Sequence, residues 1–323
     1  MLLRSILIIS FILLSSPMVS QTCCSGGVPL SNNLGLPIDQ KGIWQFGLNY
    51  DHNNLNTLYA GNDKLNDDSR QRITNSLLLS LGYSITDRFA LEALFSWVNQ
   101  TRTITQFGNE NFTETAGIGD AVLLAKYAFP EVFGTKSASN LGLGIKAPLG
   151  KSDFTNEDGI TLTADLQPGS GAWDGLGWFS ASKAFDFRPS ATFSGNFTYR
   201  FTGVNNSYLN NTSTYEFGNV VQANVGYTDQ FLLFNTIFNP GLIFKYRNAS
   251  NDKINDLNLP NTGGEWVFIR PELSVHIITS LLLTLRLELP IYSYVDGTQL
   301  TPTTRFTAGL YFKLNNKNTT IKI

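Results

Sequence analysis

The feature that most constrains this chain is a recurring alternation of apolar and polar residues over long stretches. In IWQFGLNYD, from Ile43 to Asp51, every second residue from Trp44 onward is apolar or aromatic, and the residues between are polar or small. TFSGNFTYRF (192–201) and RFTAGLYFKL (305–314) repeat the pattern. Side chains alternate between the two faces of a β-strand, so each stretch has one apolar and one polar face. Helical patterns are scarce, and the chain is predicted to be all-β.

Twelve segments of this kind can be counted along the chain. They are 42–52, 71–85, 88–100, 117–129, 139–148, 172–185, 189–203, 216–228, 231–247, 265–278, 281–295 and 303–314. Many are longer than the five or six residues usual in soluble proteins, and they match the ~9–11 residues that cross an outer membrane. The sequence therefore predicts an antiparallel transmembrane β-barrel of about twelve strands.

The connections between these segments are of two kinds. Those after the second, sixth, eighth and tenth segments are tight (SITDR, DFRP, TDQ and TS), whereas most of the others are long and polar, such as 53–70, 101–116, 149–171, 204–215 and 248–264. Short periplasmic turns, long extracellular loops and an even strand number are typical of bacterial outer-membrane barrels.

A soluble β-sandwich also has one apolar face per strand, so alternation alone does not distinguish lipid from a protein core. Two further features favour lipid. Aromatic residues cluster near strand ends, as an interfacial girdle requires: Trp44, Tyr83, Trp97, Tyr127, Trp173, Tyr227, Tyr246, Trp266 and Tyr292. The polar face carries charges in mid-strand: Asp120, Lys126, Lys146, Arg200, Glu272, Arg286 and Glu288.

The chain divides into four predicted parts. Residues 1–20 have one basic residue, a short apolar run and small residues, as a cleaved signal peptide does. Residues 21–41 are predicted to be a periplasmic or lumen-plugging segment, 42–314 the barrel and 315–323 a tail. With 23 Lys+Arg against 25 Asp+Glu, the net charge of −2 gives no reason to expect a nucleic-acid partner.

The only two cysteines, Cys23 and Cys24, are adjacent and follow the predicted cleavage site. A disulfide between neighbours would be strained, which argues against a structural bridge. Three interpretations stay open: no ligand role, lipidation, or binding of a soft metal such as Cu(I) or redox chemistry. No other cofactor is expected.

Three stretches carry a resemblance to a known family. They are GIGDAVLLAKYAF (117–129), LGLGIKAPLGKSD (141–153) and LQPGSGAWDGLGWFSASKAF (166–185). A G-x-G-D strand, a P-x-G turn and a Q-P-G-S-G stretch resemble the bacterial outer-membrane proteins grouped under the meta-pathway of phenol degradation, also labelled transporters. The resemblance implies a barrel that admits small, often hydrophobic or aromatic, compounds. It carries over no binding residues.

The polar face of a membrane barrel would line its lumen. If the turn near Thr279 and Ser280 is symmetric, Arg270 faces Glu288 and Glu272 faces Arg286 across the last hairpins. This group, extended by His276 and Arg305, would be either a charged constriction or a self-neutralising network that stiffens the wall. Asp120, Lys126 and Lys146 would form a second group, and Arg200 also faces inward.

These observations predict a non-enzymatic channel for small solutes in the outer membrane of a Gram-negative bacterium. Its expected partners are outer-membrane lipid, the solutes and the barrel-assembly machinery. Two alternatives remain: a structural or ligand- or metal-binding barrel without an open pore, and a barrel hydrolase. For the hydrolase, Ser274 and His276 on one face are the available pair, and neither G-x-S-x-G nor H-E-x-x-H occurs.

Overall fold

The computed structural model describes residues 35–314. Eleven long strands form its main sheet: β1 (Trp44–Gly61), β2 (Arg70–Ser84), β3 (Phe89–Gln106), β4 (Ala121–Pro130), β5 (Ser137–Ala147), β6 (Asp174–Ala184), β7 (Thr192–Phe201), β8 (Val220–Thr228), β9 (Thr236–Ala249), β10 (Gly264–Ile278) and β11 (Leu281–Leu314). Each pairs antiparallel with the next along the chain, and β11 pairs with β1, which closes a barrel.

The strand β11 crosses the barrel wall twice. Its residues 281–295 pair with β10, and its residues 295–314 pair with β1. Because both pairings are antiparallel and β1 and β10 run in opposite directions, the chain must reverse near Gly297, which has a left-handed φ of 74°. The eleven strands thus give twelve crossings, and the predicted antiparallel barrel is confirmed.

The alternation places apolar side chains outward and mostly polar ones inward. On β1, Trp44, Leu48 and Tyr50 are exposed, while Asn49 and Asp51, on the other face, are buried. One girdle residue was predicted wrongly. Trp266 is fully buried inside the extracellular end of the barrel, where it packs on Phe268 and Val295, because inward positions of β10 are apolar near that end.

The connections follow the predicted asymmetry. The turns at 85–88, 131–136, 185–191, 229–235 and 279–280 lie at one end, which by the outer-membrane rule is periplasmic. At the other end the chain is longer at 107–120, 148–173, 202–219 and 250–263. The first extracellular connection is shorter than predicted, because β1 continues to Gly61 instead of ending near residue 52.

Short elements extend the barrel at both ends. Asp63–Leu65 pairs with β1, Asn109–Ile118 with β3, and Phe231–Leu233 with β9. A separate four-stranded sheet, called the lid below, covers part of the extracellular end and consists of Val204–Ser207, Ser213–Glu216, Lys253–Ile254 and Leu257–Asn258. Two single helical turns, Ala164–Leu166 and Tyr208–Asn211, complete the described elements. Within residues 35–314, none of the helices has the length and apolar character that a transmembrane helix requires.

The outward apolar face generates a test of membrane insertion. Leu79 lies on the exposed face of β2, paired with Leu48 and Phe95 of its neighbours. We expect Leu79→Arg to lower the free energy of unfolding in lipid vesicles by ~2–4 kcal/mol, as a charge facing hydrocarbon does. Leu65→Arg, in the extracellular Asp63–Leu65 strand, should change it by less than ~0.5 kcal/mol. Equal effects in a urea titration would contradict the lipid-facing assignment.

Candidate functional site: a charged lumen occupied by its own chain

Within residues 35–314, ion pairs between buried or half-buried side chains line the inner face of the barrel. They are Arg72–Asp165, Lys126–Glu92, Lys146–Asp120, Lys146–Asp174, Arg200–Asp174, Lys245–Glu288, Arg286–Glu272 and Arg305–Asp51. Seven cations and seven carboxylates take part, so the charges within these pairs cancel. Removing one partner from a buried pair costs ~3–5 kcal/mol, because the other charge is left without compensation.

The G-x-G-D motif anchors an extracellular segment inside the barrel. Asp120 is fully buried and binds Lys146 Nζ at 2.7 Å; it also accepts hydrogen bonds from the backbone N–H groups of Ser170 and Gly150 at 3.0 and 3.1 Å. Lys146 also binds Asp174 at 3.1 Å and the hydroxyl of Ser170. The connection 148–173, called the inner loop below, is thereby tied to β4 and β5 at both of its ends.

Glycines allow the two ends of the inner loop to touch. A Cβ on Gly169 would overlap the backbone of Gly150, and one on Gly150 would lie 2.6 Å from the Gly169 Cα. A Cβ on Gly119 would overlap the Ser96 hydroxyl. The P-x-G and Q-P-G-S-G stretches are therefore two sides of one close backbone contact, which the sequence alone does not reveal because they lie about twenty residues apart.

The middle of the inner loop contacts the neighbouring part of the barrel wall, β2 and β3. Asp165 receives a hydrogen bond from Arg72 Nη1 at 2.9 Å, and its carbonyl receives a second from the same guanidinium. Gln100 on β3 donates to the Gln167 carbonyl at 3.2 Å. Leu166 between these contacts is fully buried. The loop thus fills the extracellular half of the lumen on the side of β2 and β3.

The segment 35–43, called the strap below, occupies the periplasmic half. The carboxylate of Glu92 accepts the backbone N–H groups of Gly35 and Leu36 at 3.0–3.2 Å, and Lys126 donates to the Leu36 carbonyl. Glu92 and Lys126 also bind each other at 2.7 Å and are at most 1% exposed. Lys126 was grouped with Asp120 and Lys146 from the sequence. It belongs instead to this strap site, because its strand position lies nearer the periplasm.

The predicted group on the last strands forms in the predicted register and has one more member. Glu272 lies opposite Arg286 and binds its Nε at 2.7 Å, as the register predicted. Arg270 lies opposite Glu288, between the pairs Ile269–Leu289 and Glu272–Arg286, so this part of the prediction is confirmed as well. Glu288 has a further partner that was not predicted: Lys245 of β9 binds it at 2.9 and 3.1 Å. Side chains of the strands on both sides of a hairpin face the same lumen, and the prediction from the β10–β11 hairpin did not include β9.

Three other predicted residues have distinct positions. Arg305 binds Asp51 on β1 at 2.9 Å, and Arg200 lies 3.9 Å from Asp174. His276 is half-buried and lines a periplasmic cavity of about 380 Å³ together with Glu272 and Arg286. The ten predicted lumen residues therefore all belong to the inner surface, but they form several small clusters.

Buried polar and aromatic contacts hold the lid together and join it to the inner loop. The carboxylate of Asp252 accepts hydrogen bonds from the Tyr215 hydroxyl at 2.6 Å and the Gly218 N–H at 2.7 Å. Burial raises the pKa of Asp252 and that of Tyr215 above their ordinary values. A raised carboxyl pKa stabilises the folded lid most at acidic pH, and this contribution is lost as the pH rises through the folded pKa. Tyr215 also packs on Tyr208 and Phe217, with Ala164 of the inner loop in the same cluster.

The predicted soft-metal ligands Cys23 and Cys24 lie outside the described residues. Within residues 35–314 no cluster of three or more His, Cys, Asp or Glu side chains is arranged to hold a metal ion. Sequence reasoning missed the functional partners Glu92, Asp165, Asp174 and Lys245. Lys245 could have been found, since Phe244 and Tyr246 on either side face outward. Glu92 was hidden because the next inward residue, Leu94, is apolar, so the strand did not alternate clearly.

Comparison with known proteins identifies the family. A family model described as "Putative MetA-pathway of phenol degradation" matches residues 83–291, about two thirds of the chain. The chain belongs to this family. The matched span includes the inner loop with Asp120 and Lys146 at its base, so the resemblance seen in the G-x-G-D, P-x-G and Q-P-G-S-G stretches is confirmed. No curated protein matches the sequence.

Three solved structures of outer-membrane proteins are similar to this chain to different degrees. The COG4313 outer membrane channel from Pseudomonas putida F1 is 16% identical, with 87% of this chain and 97% of that chain covered and a TM-score of 0.67. The β domain of the Bordetella autotransporter BrkA is 14% identical, covering 85% and 100%, at a TM-score of 0.46. The CymD monoaromatic hydrocarbon channel is 8% identical, covering 86% and 90%, at 0.37. The first of these shows that this member of the phenol-degradation family has the fold of an outer-membrane barrel.

The glycine contact at the base of the inner loop makes a specific prediction. We expect Gly169→Ala to push the loop away from Gly150, because the added methyl group has no room. Trypsin should then cleave after Lys151, in the same loop, at least several times faster than in the unmodified protein. Gly177→Ala on β6, where a Cβ meets nothing within 4 Å, is the control and should leave the cleavage rate unchanged. Equal rates in both variants would contradict the close packing.

Proposed function

We propose that this phenol-degradation family protein is a channel that passes small solutes across the outer membrane and is closed at rest by its own chain. The observation that carries the proposal is the occupied lumen. The inner loop enters from the extracellular side, and the strap enters from the periplasmic side. Each is held by buried charges that belong to the barrel wall.

The type of attachment supports a movable closure. The strap is bound to the wall mainly through backbone groups, at Glu92 and Lys126, and through the ion pair of Asp39 with Lys313. Few apolar side chains of the strap are buried, Leu36 and Ile43 being the two. A segment with little buried apolar surface opens at low free-energy cost compared with the barrel strands. We therefore assign gating to the strap and its site.

The side chains that line the lumen favour a role in solute selectivity over a role in catalysis. Arg270, Glu272, Arg286 and Glu288 would set the electrostatics of the path, as a ring of charged side chains does in other pores. Ser274 bonds to Thr284 at 3.0 Å, and within residues 35–314 no hydrogen bond joins it to His276. A hydrolase would need that serine–histidine contact or a similar one. The non-enzymatic role is thus the proposed one, and the barrel-assembly machinery stays its expected insertion partner.

The conductance of Glu92→Gln tests the gate. Losing the carboxylate weakens charge-assisted hydrogen bonds to Gly35, Leu36 and Lys126, worth ~1.5–3 kcal/mol. We expect the open fraction in a planar bilayer to rise at least about tenfold, since ~1.4 kcal/mol corresponds to a factor of ten. Glu114→Gln, an exposed glutamate of the Asn109–Ile118 strand, is the matched control and should behave as the unmodified protein.

Two results would contradict the proposal. One is an unchanged open fraction for Glu92→Gln when the barrel is shown by heat-modifiable electrophoretic mobility to be folded. The other is a variant lacking residues 21–41 that inserts normally, conducts no ions and admits no uncharged solute in a liposome-swelling assay. The second result would favour the alternative of a structural or ligand-binding barrel without a pore.

A further inference from the structure

A cavity of about 380 Å³ lies at the periplasmic end of the lumen, between the strap and the inner faces of β10, β11 and β1. None of the ion pairs that fix the inner loop lies in its wall. We propose that this cavity is a binding site for one small, uncharged molecule that has an apolar body and a hydrogen-bonding head. The inference rests on the proposed channel function, because it assigns to the solute a site next to the gate.

The charges around the cavity are already paired with each other. Arg286 Nε binds Glu272 at 2.7 Å, and Lys313 Nζ binds Asp39 at 2.6 Å. A charged ligand would lose its water without finding an opposite charge that lacks a partner, which is unfavourable in a partly buried site. The wall therefore favours an uncharged ligand over an anion or a cation of the same size.

Hydrogen-bonding groups lie together on one side of the cavity. The hydroxyls of Ser274 and Thr284 face each other across β10 and β11 at 3.0 Å, and His276 lies two residues further along the same face. Each hydroxyl can both donate and accept, so the pair keeps capacity for a ligand. No side chain or backbone group within residues 35–314 forms a hydrogen bond with the His276 imidazole. A ligand hydroxyl or carbonyl would find both donors and acceptors here.

Apolar side chains line other parts of the cavity. Leu36 and Pro37 belong to the strap, and Leu282 of β11 lies directly across from His276. Small-molecule sites are usually concave, largely apolar and about 300–1,000 Å³ in volume, with a few convergent polar groups. This cavity is at the lower end of that range, which suits one aromatic ring or a short alkyl chain with one polar group. Because the strap forms one wall, the ligand would contact the gate directly.

Binding of benzyl alcohol and benzoate, two probes of similar size and different charge, tests the site. The full barrel protein, purified from outer membranes in detergent, would be titrated with each by saturation-transfer NMR, with empty micelles subtracted. We expect saturable binding of benzyl alcohol, and binding of benzoate at least tenfold weaker. Thr284→Val should weaken benzyl alcohol binding by about fivefold, since it removes one hydroxyl and keeps the side-chain shape.

Ser80→Ala on β2 is the control, because Ser80 is a buried inward-facing serine that does not line the cavity. It should leave the affinity unchanged. The proposal is overturned if benzoate binds as tightly as benzyl alcohol, if no binding saturates, or if Thr284→Val and His276→Leu both bind benzyl alcohol like the unmodified protein.

The two proposals fail separately. If Glu92→Gln conducts and benzyl alcohol does not bind, the channel function stands and the site is wrong. If benzyl alcohol binds with the expected variant effects and Glu92→Gln stays silent, the site stands and the channel function is wrong.

Discussion

The structure depends on the pairing of opposite charges inside the lumen. A lysine or carboxylate at most 1% exposed, as Lys126, Glu92, Lys146 and Asp120 are, cannot remain charged without a partner at hydrogen-bond distance. The carboxylates of these pairs also bind backbone groups of the segments inside the lumen. Asp120 also holds two backbone N–H groups of the inner loop, and Glu92 holds two of the strap. Charge pairing is therefore the means by which the barrel wall keeps its own chain inside the lumen.

This arrangement separates stability from gating. The wall is stabilised by a continuous antiparallel ladder from β1 to β11 and by apolar side chains that face lipid. The segments that fill the lumen are not part of that ladder, so the proposed gating would leave the barrel wall intact. The inner loop is held by buried ion pairs at its base and its tip. Within residues 35–314, the strap contributes only backbone groups to its buried hydrogen bonds, and its single ion pair, Asp39 with Lys313, is partly exposed. The strap is the weaker closure in physical terms.

The barrel was predictable because period-two alternation is a local property of the sequence. Twelve alternating segments gave twelve wall crossings, and alternating loop lengths gave the orientation. The errors had local causes as well. Trp266 was assigned to the girdle because the sequence does not distinguish an aromatic residue that faces inward from one that faces outward. Lys126 was grouped with Asp120 and Lys146 because their strands are adjacent, although Lys126 lies closer to the periplasmic end.

The site was less predictable because it is made by long-range contacts. The register of one hairpin gave the Glu272–Arg286 pair, since it depends only on the turn at residues 279–280. Lys245–Glu288 and Arg305–Asp51 join strands whose relative height is fixed by the whole barrel. Asp165 reaches Arg72 from a loop, and no periodicity marks such a residue. The glycines of the P-x-G and Q-P-G-S-G stretches are typical of close backbone contacts, but the sequence does not show that these two stretches contact each other.

The reactivity of a cysteine placed inside the lumen tests the central claim most directly. Ser76 faces inward on β2 and is 1% exposed, and Leu65 lies in an exposed extracellular strand. Ser76→Cys and Leu65→Cys would each be made with Cys23 and Cys24 replaced by serine, and treated in intact outer membranes with a cationic methanethiosulfonate reagent. A lumen occupied by its own chain predicts that Ser76→Cys reacts at least about a hundredfold more slowly than Leu65→Cys, equivalent to ~2.7 kcal/mol of protection. Equal rates would mean that the lumen is open to water, and they would contradict the account.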